Sequence, residues 1–201
     1  MKTIQERLPN MFNILQLARQ HVYDSKSLIC SDTTEEHLTI RRSKFLMRTQ
    51  VSLYILAIIE TSKIFGRDGD YYNLHKVINI VKHGYQSVKT KISKEQIADF
   101  ENQINSEKVK KSISKLHELR DEHYAHSDKT PQNDVHGVGL YYDELLEIIE
   151  LAEKICCTLS EKLYDEQRIT EIFDRNGVKS LVKKLTEYNR LKSQEIINRT
   201  K

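Results

Sequence analysis

A guanidinium and two imidazoles fall close together in the stretch ELRDEHYAHSD, Glu118 to Asp128. Five residues separate Arg120 from His126, Asp121 directly follows the arginine, and His123 lies between the two. Arginine is a permanent cation with a planar fork of donors. Histidine exchanges protons near neutral pH. Together they supply what phosphodiester chemistry without a metal requires: a fixed positive charge for a developing phosphorane and a proton carrier beside it.

The elements that must position these groups are helices. The chain has 201 residues, with only 6 Gly and 2 Pro, so few residues interrupt helical runs. That length suits one domain with a sizeable core and an appended helix. The apolar spacing predicts a first helix from about Pro9 to Leu28, carrying Phe12, Leu15, Ala18 and Val22 at steps of three and four. A second runs from about Glu35 to Phe65, with Leu46, Leu53, Leu56 and Ile59 on its apolar face and Val51 to Ile59 as the central core helix. A third runs from about Asp70 to Lys89, with Leu74, Val77, Ile78 and Val81 inward. Ser93 and Gln96 form a capping box for a fourth, which continues to about His126 with a break near Asn105 and Ser106. Thr130 to Gly139 is a loop. A fifth helix spans about Asp143 to Tyr164, with Leu145, Ile149, Ala152, Cys156, Leu159 and Leu163 on one side. The expectation is an all-α protein, an up-and-down bundle of five to six helices over residues 1–165, followed by a basic helical extension over 166–201.

On the fourth helix, Val109, Ile113, Leu116, Leu119 and His123 share one half of the cylinder. Arg120 and His126 lie at its two edges, about 120° and about 9 Å apart. One helix cannot easily aim both at one phosphate. Either two copies meet across a two-fold axis, or the helix ends before His126 and turns the imidazole round.

The string Arg120-Asp121-x-x-x-x-His126 resembles the signature of HEPN domains. The wider words LRDEHYAHSDK and TQVSLYILAIIE are similar to the abortive-infection AbiU-type HEPN group, over about residues 10–165. The resemblance implies a helical, usually dimeric, metal-independent endoribonuclease serving as a toxin or phage-defence effector. It makes Arg120 and His126 the catalytic pair and Asp121 the polar accessory; His123, in the variable interval, is a further candidate without an assured role. It implies RNA as substrate, a homodimer, and an antitoxin protein as a further partner, with no cofactor. The alternative is an HEPN-like module that binds a nucleotide or a partner protein without cutting. The plain structural alternative is an Arg120 paired with a carboxylate such as Glu150 and a His126 that merely ends a helix.

The remaining features fill in substrate and compartment. Lys108, Lys110, Lys111 and Lys115 lie just ahead of the motif and could hold RNA phosphates, or form a solvated face. Arg41, Arg42, Lys44 and Arg48 make a second cluster, in which Arg48 approaches the buried part. Seven Lys or Arg against Glu187 and Glu195 give residues 178–201 a local excess of five positive charges. The stripe Leu181, Leu185, Tyr188 and Leu191 favours packing on the bundle or a second chain over RNA contact. A metal held by His123 and His126, with His117 and His136 near, is the second chemical reading; no HExxH accompanies it. Tyr71, Tyr72, Tyr141 and Tyr142 read as helix-end packing residues, ahead of base-stacking platforms. The net charge of +3 does not by itself argue for nucleic acid. Three cysteines, two adjacent, make no disulfide framework. With no apolar h-region at the amino terminus and no apolar run near the roughly 20 residues of a membrane span, a cytoplasmic protein is expected.

Overall fold

Two serines that break helices without proline or glycine shape much of the fold. Ser43 has extended backbone (φ −96°, ψ 101°), and its Oγ accepts from the Leu46 N–H at 3.2 Å. Ser106, at φ −59° and ψ 147°, parts two later helices, and its Oγ donates to the Gln103 carbonyl at 2.9 Å. The computed structural model describes residues 2–66, 70–88, 90–124, 139–167 and 177–199, with the backbone alone for residues 2, 3 and 122–124. Those residues form α1 (Lys2–Ser27), α2 (Thr34–Arg42), α3 (Lys44–Ile64), α4 (Leu74–His83), a 3₁₀ turn (Tyr85–Ser87), α5 (Lys94–Asn105), α6 (Glu107–Tyr124), α7 (Tyr142–Tyr164) and α8 (Gly177–Arg199). No strand occurs among the described residues, and the protein is all-α.

The chain divides into two compact units. The first holds residues 1–19 and 57–171, and carries the candidate site. Here α4 packs on α5, α5 on α6, and α7 on both α5 and α6. Ile4, Leu8, Met11 and Leu15 from α1, Leu74 and Val77 from α4, Ile104 from α5, Leu116 from α6 and Leu145, Ile149 and Leu159 from α7 are all buried. Burying one such side chain contributes about 1.5–3 kcal/mol. The Ser93–Gln96 capping box opens α5 with both reciprocal bonds, at 3.2 and 3.1 Å.

The second unit holds residues 20–56 and 172–201. Its core is Leu28, Ile40, Leu46 and Val182, with Leu53 and Val178 packed against it. α8 lies on α2, tied by a Thr186–Thr39 hydroxyl bond of 3.0 Å and a Lys179–Asp32 ion pair of 3.1 Å.

Two sequence expectations change. α1 begins at Lys2, well before Pro9, because the apolar stripe continues back through Leu8 and Ile4, both buried. Packing there outweighs the hydrogen bond that proline cannot donate. The single long helix from Glu35 to Phe65 is two, parted at Ser43, and Val51 to Ile59 is not a central core helix. Val51 and Leu56 are exposed, because α3 supplies Leu46 to one core and Ala57, Ile58 and Ile64 to the other. In α8 the buried Val182 and the half-buried Val178 face the core of the second unit, and Leu181, Leu185, Tyr188 and Leu191 are exposed in the single chain. No helix among the described residues is long and apolar enough to cross a membrane.

Candidate functional site

α6 reaches the site as a continuation of the first unit's core. Leu116 and Leu119 anchor its inner face, and Arg120 emerges beside them with its side chain 26 % exposed. Its Nε donates to Oδ1 of Asp121 at 2.9 Å, and Nη2 lies 2.9 Å from the same oxygen. A carboxylate adjacent in sequence orients the guanidinium while leaving Nη1 for a ligand. Arg120 therefore pairs with Asp121 and not with Glu150.

Arg120 opens on a cavity of about 250 Å³, lined also by Ile59, Ser62, Lys63, Asp70, Tyr71 and Tyr72. Ile59, Ser62 and Lys63 come from the last turns of α3, at spacings that put them on one helix face. Lys63 is held by Glu60 through two contacts of 2.7 Å. Asp70, Tyr71 and Tyr72 come from the connection that leads into α4. Asn73 fastens that connection. Buried to 3 % exposure, it donates from Nδ2 to the Gly66 carbonyl at 2.5 Å and accepts the Lys76 N–H at 3.1 Å, capping α4. A Cβ on Gly66 would run into the Asp70 side chain, so glycine is required there for close approach. The Tyr71 and Tyr72 rings meet edge to face, 5.0 Å apart at 89°. The Arg7 guanidinium of α1 lies 4.2 Å from the centre of the Tyr71 ring.

The other sequence candidates distribute as follows. His123 stands one turn beyond Arg120 on the α6 backbone, about 60° round and about 4.5 Å along the axis. His126 and His136, like most of the expected loop at 130–139, lie outside the described residues. Among the described residues no group of three His, Cys, Asp or Glu could hold a metal ion. The lysine patch is partly neutralised. Lys108 pairs with Glu147 at 2.6 Å and Lys115 with Glu144 at 2.9 Å, while Lys110 and Lys111 remain exposed. Glu144 also accepts the Tyr141 N–H at 2.9 Å, and this bond together with Lys115 holds its carboxyl below the usual range. Arg41, Arg42 and Lys44 are exposed; so is Arg48, which was expected nearer the core.

Sequence reasoning missed Lys63 and Asp70 as neighbours of the arginine and Arg7 as the partner of Tyr71, and placed Tyr71 and Tyr72 as packing residues. The doublet of tyrosines just ahead of a capped helix was the available signal. A larger groove of about 750 Å³ lies in the second unit between α2 and α8, and it contains no candidate catalytic residue.

No curated protein and no solved structure matches the chain. The family model of AbiU2, an HEPN group, matches residues 2–176, which include α1 to α7 and the whole Arg120 to His126 string. The chain thus belongs to the AbiU2 family of HEPN domains.

Proposed function

We propose that this protein is a metal-independent endoribonuclease acting in abortive infection, with Arg120 and His126 as its catalytic pair. The observation that carries the reading is a guanidinium oriented by the neighbouring Asp121 carboxylate and facing a cavity of about 250 Å³. Membership of an HEPN family supports it, because the string Arg120-Asp121-x-x-x-x-His126 lies within the matched region.

The chemistry needs only side chains of this chain, in two copies. The ribose 2′-oxygen attacks the adjacent phosphorus, forming the O2′–P bond. His126 takes the hydroxyl proton. The P–O5′ bond breaks, and the partner subunit's His126 gives a proton to the leaving oxygen. Arg120 stabilises the added charge on the phosphorane between these events. The products are a 2′,3′-cyclic phosphate and a 5′-hydroxyl. Asp121 holds the guanidinium, and Lys110 and Lys111 are free to meet RNA phosphates further along. A homodimer, an antitoxin partner and a cytoplasmic location belong to the same proposal.

Incubation of the purified protein with total RNA and tRNA in EDTA tests it, with Arg120→Ala and His126→Ala alongside. Cleavage by the wild type and none by a folded His126→Ala variant is the expected result. Equal cleavage by both would overturn the assignment. Binding of nucleotide without any cleavage would favour the non-catalytic module.

A further inference from the structure

Tyr71 is 48 % exposed although it sits on a tightly fastened connection, and its ring forms part of the cavity wall beside Arg120. Arg7 is 8 % exposed and is not among the lining residues. Its Nε and Nη1 are buried without a hydrogen-bond partner. A buried cation with unsatisfied donors is costly, and a ring face returns only part of that cost. The Arg7 guanidinium over the Tyr71 ring and the Tyr72 ring at 89° to it together hold Tyr71 in place. Held in this way, half exposed and lining the cavity, the Tyr71 ring has the properties of a stacking surface.

The lining has the polarity of a nucleotide. Ile59 and the two tyrosines are apolar surfaces. Arg120 offers donors for a phosphate, and Asp70 offers acceptors for the exocyclic amino group of a base. Ser62 and Lys63 complete the lining, so a hydroxyl, two cations and one carboxylate share the cavity with the apolar surfaces. At about 250 Å³ the cavity falls below the size of ordinary small-molecule pockets, which suits a single nucleobase with part of its sugar.

We infer that Tyr71 is the stacking platform for the RNA base next to the phosphate held by Arg120, with Arg7 as the positioning residue that fixes its ring. This inference rests on the nuclease reading for the identity of the phosphate, but the platform is testable without any cleavage.

The probes are 2′-O-methyl RNA tetramers of A, C, G and U, which bind but lack the attacking hydroxyl, and the same tetramers with one abasic position. Their affinities are measured by titration calorimetry against the full-length wild type, Tyr71→Phe, Tyr71→Ala and Arg120→Ala, each checked for fold by circular dichroism. Stacking on an aromatic ring predicts that Tyr71→Ala weakens the best tetramer roughly tenfold or more. Tyr71→Phe stays within about twofold. The abasic tetramer binds the wild type as weakly as Tyr71→Ala binds the complete one, and Tyr71→Ala no longer distinguishes the two tetramers. Arg120→Ala instead lowers the salt dependence by about one ion, and Tyr71→Ala leaves it unchanged. Tyr71→Leu, which keeps apolar bulk, replaces the alanine variant if that one fails to fold.

A wild type that binds none of the tetramers, or a folded Tyr71→Ala or Tyr71→Leu that still discriminates against the abasic tetramer, overturns the platform. The nuclease reading is scored separately by cleavage of natural RNA. If RNA is cut and the coupling is absent, only the platform falls; if the coupling is present and nothing is cut, only the nuclease falls.

Discussion

Arg19 and Glu153, 134 positions apart in the chain, form an ion pair inside the first unit, with side chains 18 % and 4 % exposed. Oε1 of Glu153 and Nε of Arg19 are buried without a partner, so the pair is only half satisfied. Burial pushes the Glu153 carboxyl up to about 7; Arg19 opposes the shift and Glu150 adds to it.

A stability profile follows from the sign of that shift. The folded state holds the Glu153 proton more tightly than the unfolded chain, so its contribution is fully present below about 4.5 and is lost as pH rises through about 7. Glu153→Gln mimics the neutral acid and removes the dependence. Urea denaturation at pH 4.5, 6 and 8 should show the wild type losing up to roughly 3 kcal/mol relative to this variant across that window. Parallel profiles for the two proteins would contradict the shift. Glu153→Ala, which strands Arg19, should cost about 3–5 kcal/mol.

Glu144 has the opposite sign. Its lowered carboxyl stabilises the fold above its ordinary value, and that contribution is lost as pH falls through the folded pKa. Glu144→Gln keeps an acceptor for the Tyr141 N–H and loses the charge on Lys115. Glu144→Ala loses both and should cost about 1–2 kcal/mol, more than the glutamine variant. Thermal melts at pH 7 and pH 3.5 check both: the wild-type advantage over Glu144→Gln should shrink at the lower pH.

Arg120→Ala should lower the rate of RNA cleavage roughly 10²–10³-fold, the usual effect of losing one electrostatic donor to a transition state. Arg120→Lys should recover only part of it, because an ammonium cannot use the donor fork that Asp121 orients. Asp121→Asn should cost less than either arginine substitution. Single-turnover cleavage separates these effects from RNA binding; an unchanged rate for Arg120→Ala would remove the arginine from the chemistry.

Asn73→Ala should destabilise the protein by about 1–3 kcal/mol, since it removes the α4 cap and leaves the buried Gly66 carbonyl without its donor. Asn73→Asp retains the cap acceptor and loses only the donor. Chemical denaturation of both variants ranks the two bonds. The loss should also weaken binding of 2′-O-methyl tetramers, because the connection carrying Tyr71 and Tyr72 is no longer fastened.

In α8, Val182→Ala should cost more stability than Leu185→Ala or Leu191→Ala, although it removes a smaller side chain. Val182 is 3 % exposed, whereas Leu185 and Leu191 are exposed. The surface leucines should stay within about 0.5 kcal/mol. Equal losses for all three would mean that a partner chain covers the leucine stripe.

The sequence alone determined where most helices run and which side of each is apolar. The 74, 77, 78, 81 spacing, the Ser93–Gln96 box and the stripe from Leu145 to Leu163 are local patterns, and each is buried or bonded as read. The family was equally legible, because its signature is a contiguous string around Arg120. The break at Ser43 was not, since one serine hydroxyl on an N–H ends a helix as firmly as a glycine but leaves the apolar period running. Nor was the choice of Val178 and Val182 as the residues of α8 that meet the core: they lie three positions before Leu181 and Leu185, and only the shape of α2 chooses between overlapping stripes. The company that Arg120 keeps was decided by tertiary structure alone. Lys63 and Tyr71 lie near one another in sequence but far from both Arg7 and Arg120, and no periodicity in a chain can state that a cation in α1 will lie over a ring that shares a cavity with α6. Local order follows from spacing along the backbone, whereas a cavity is made by side chains whose separation in sequence carries no information about their separation in space.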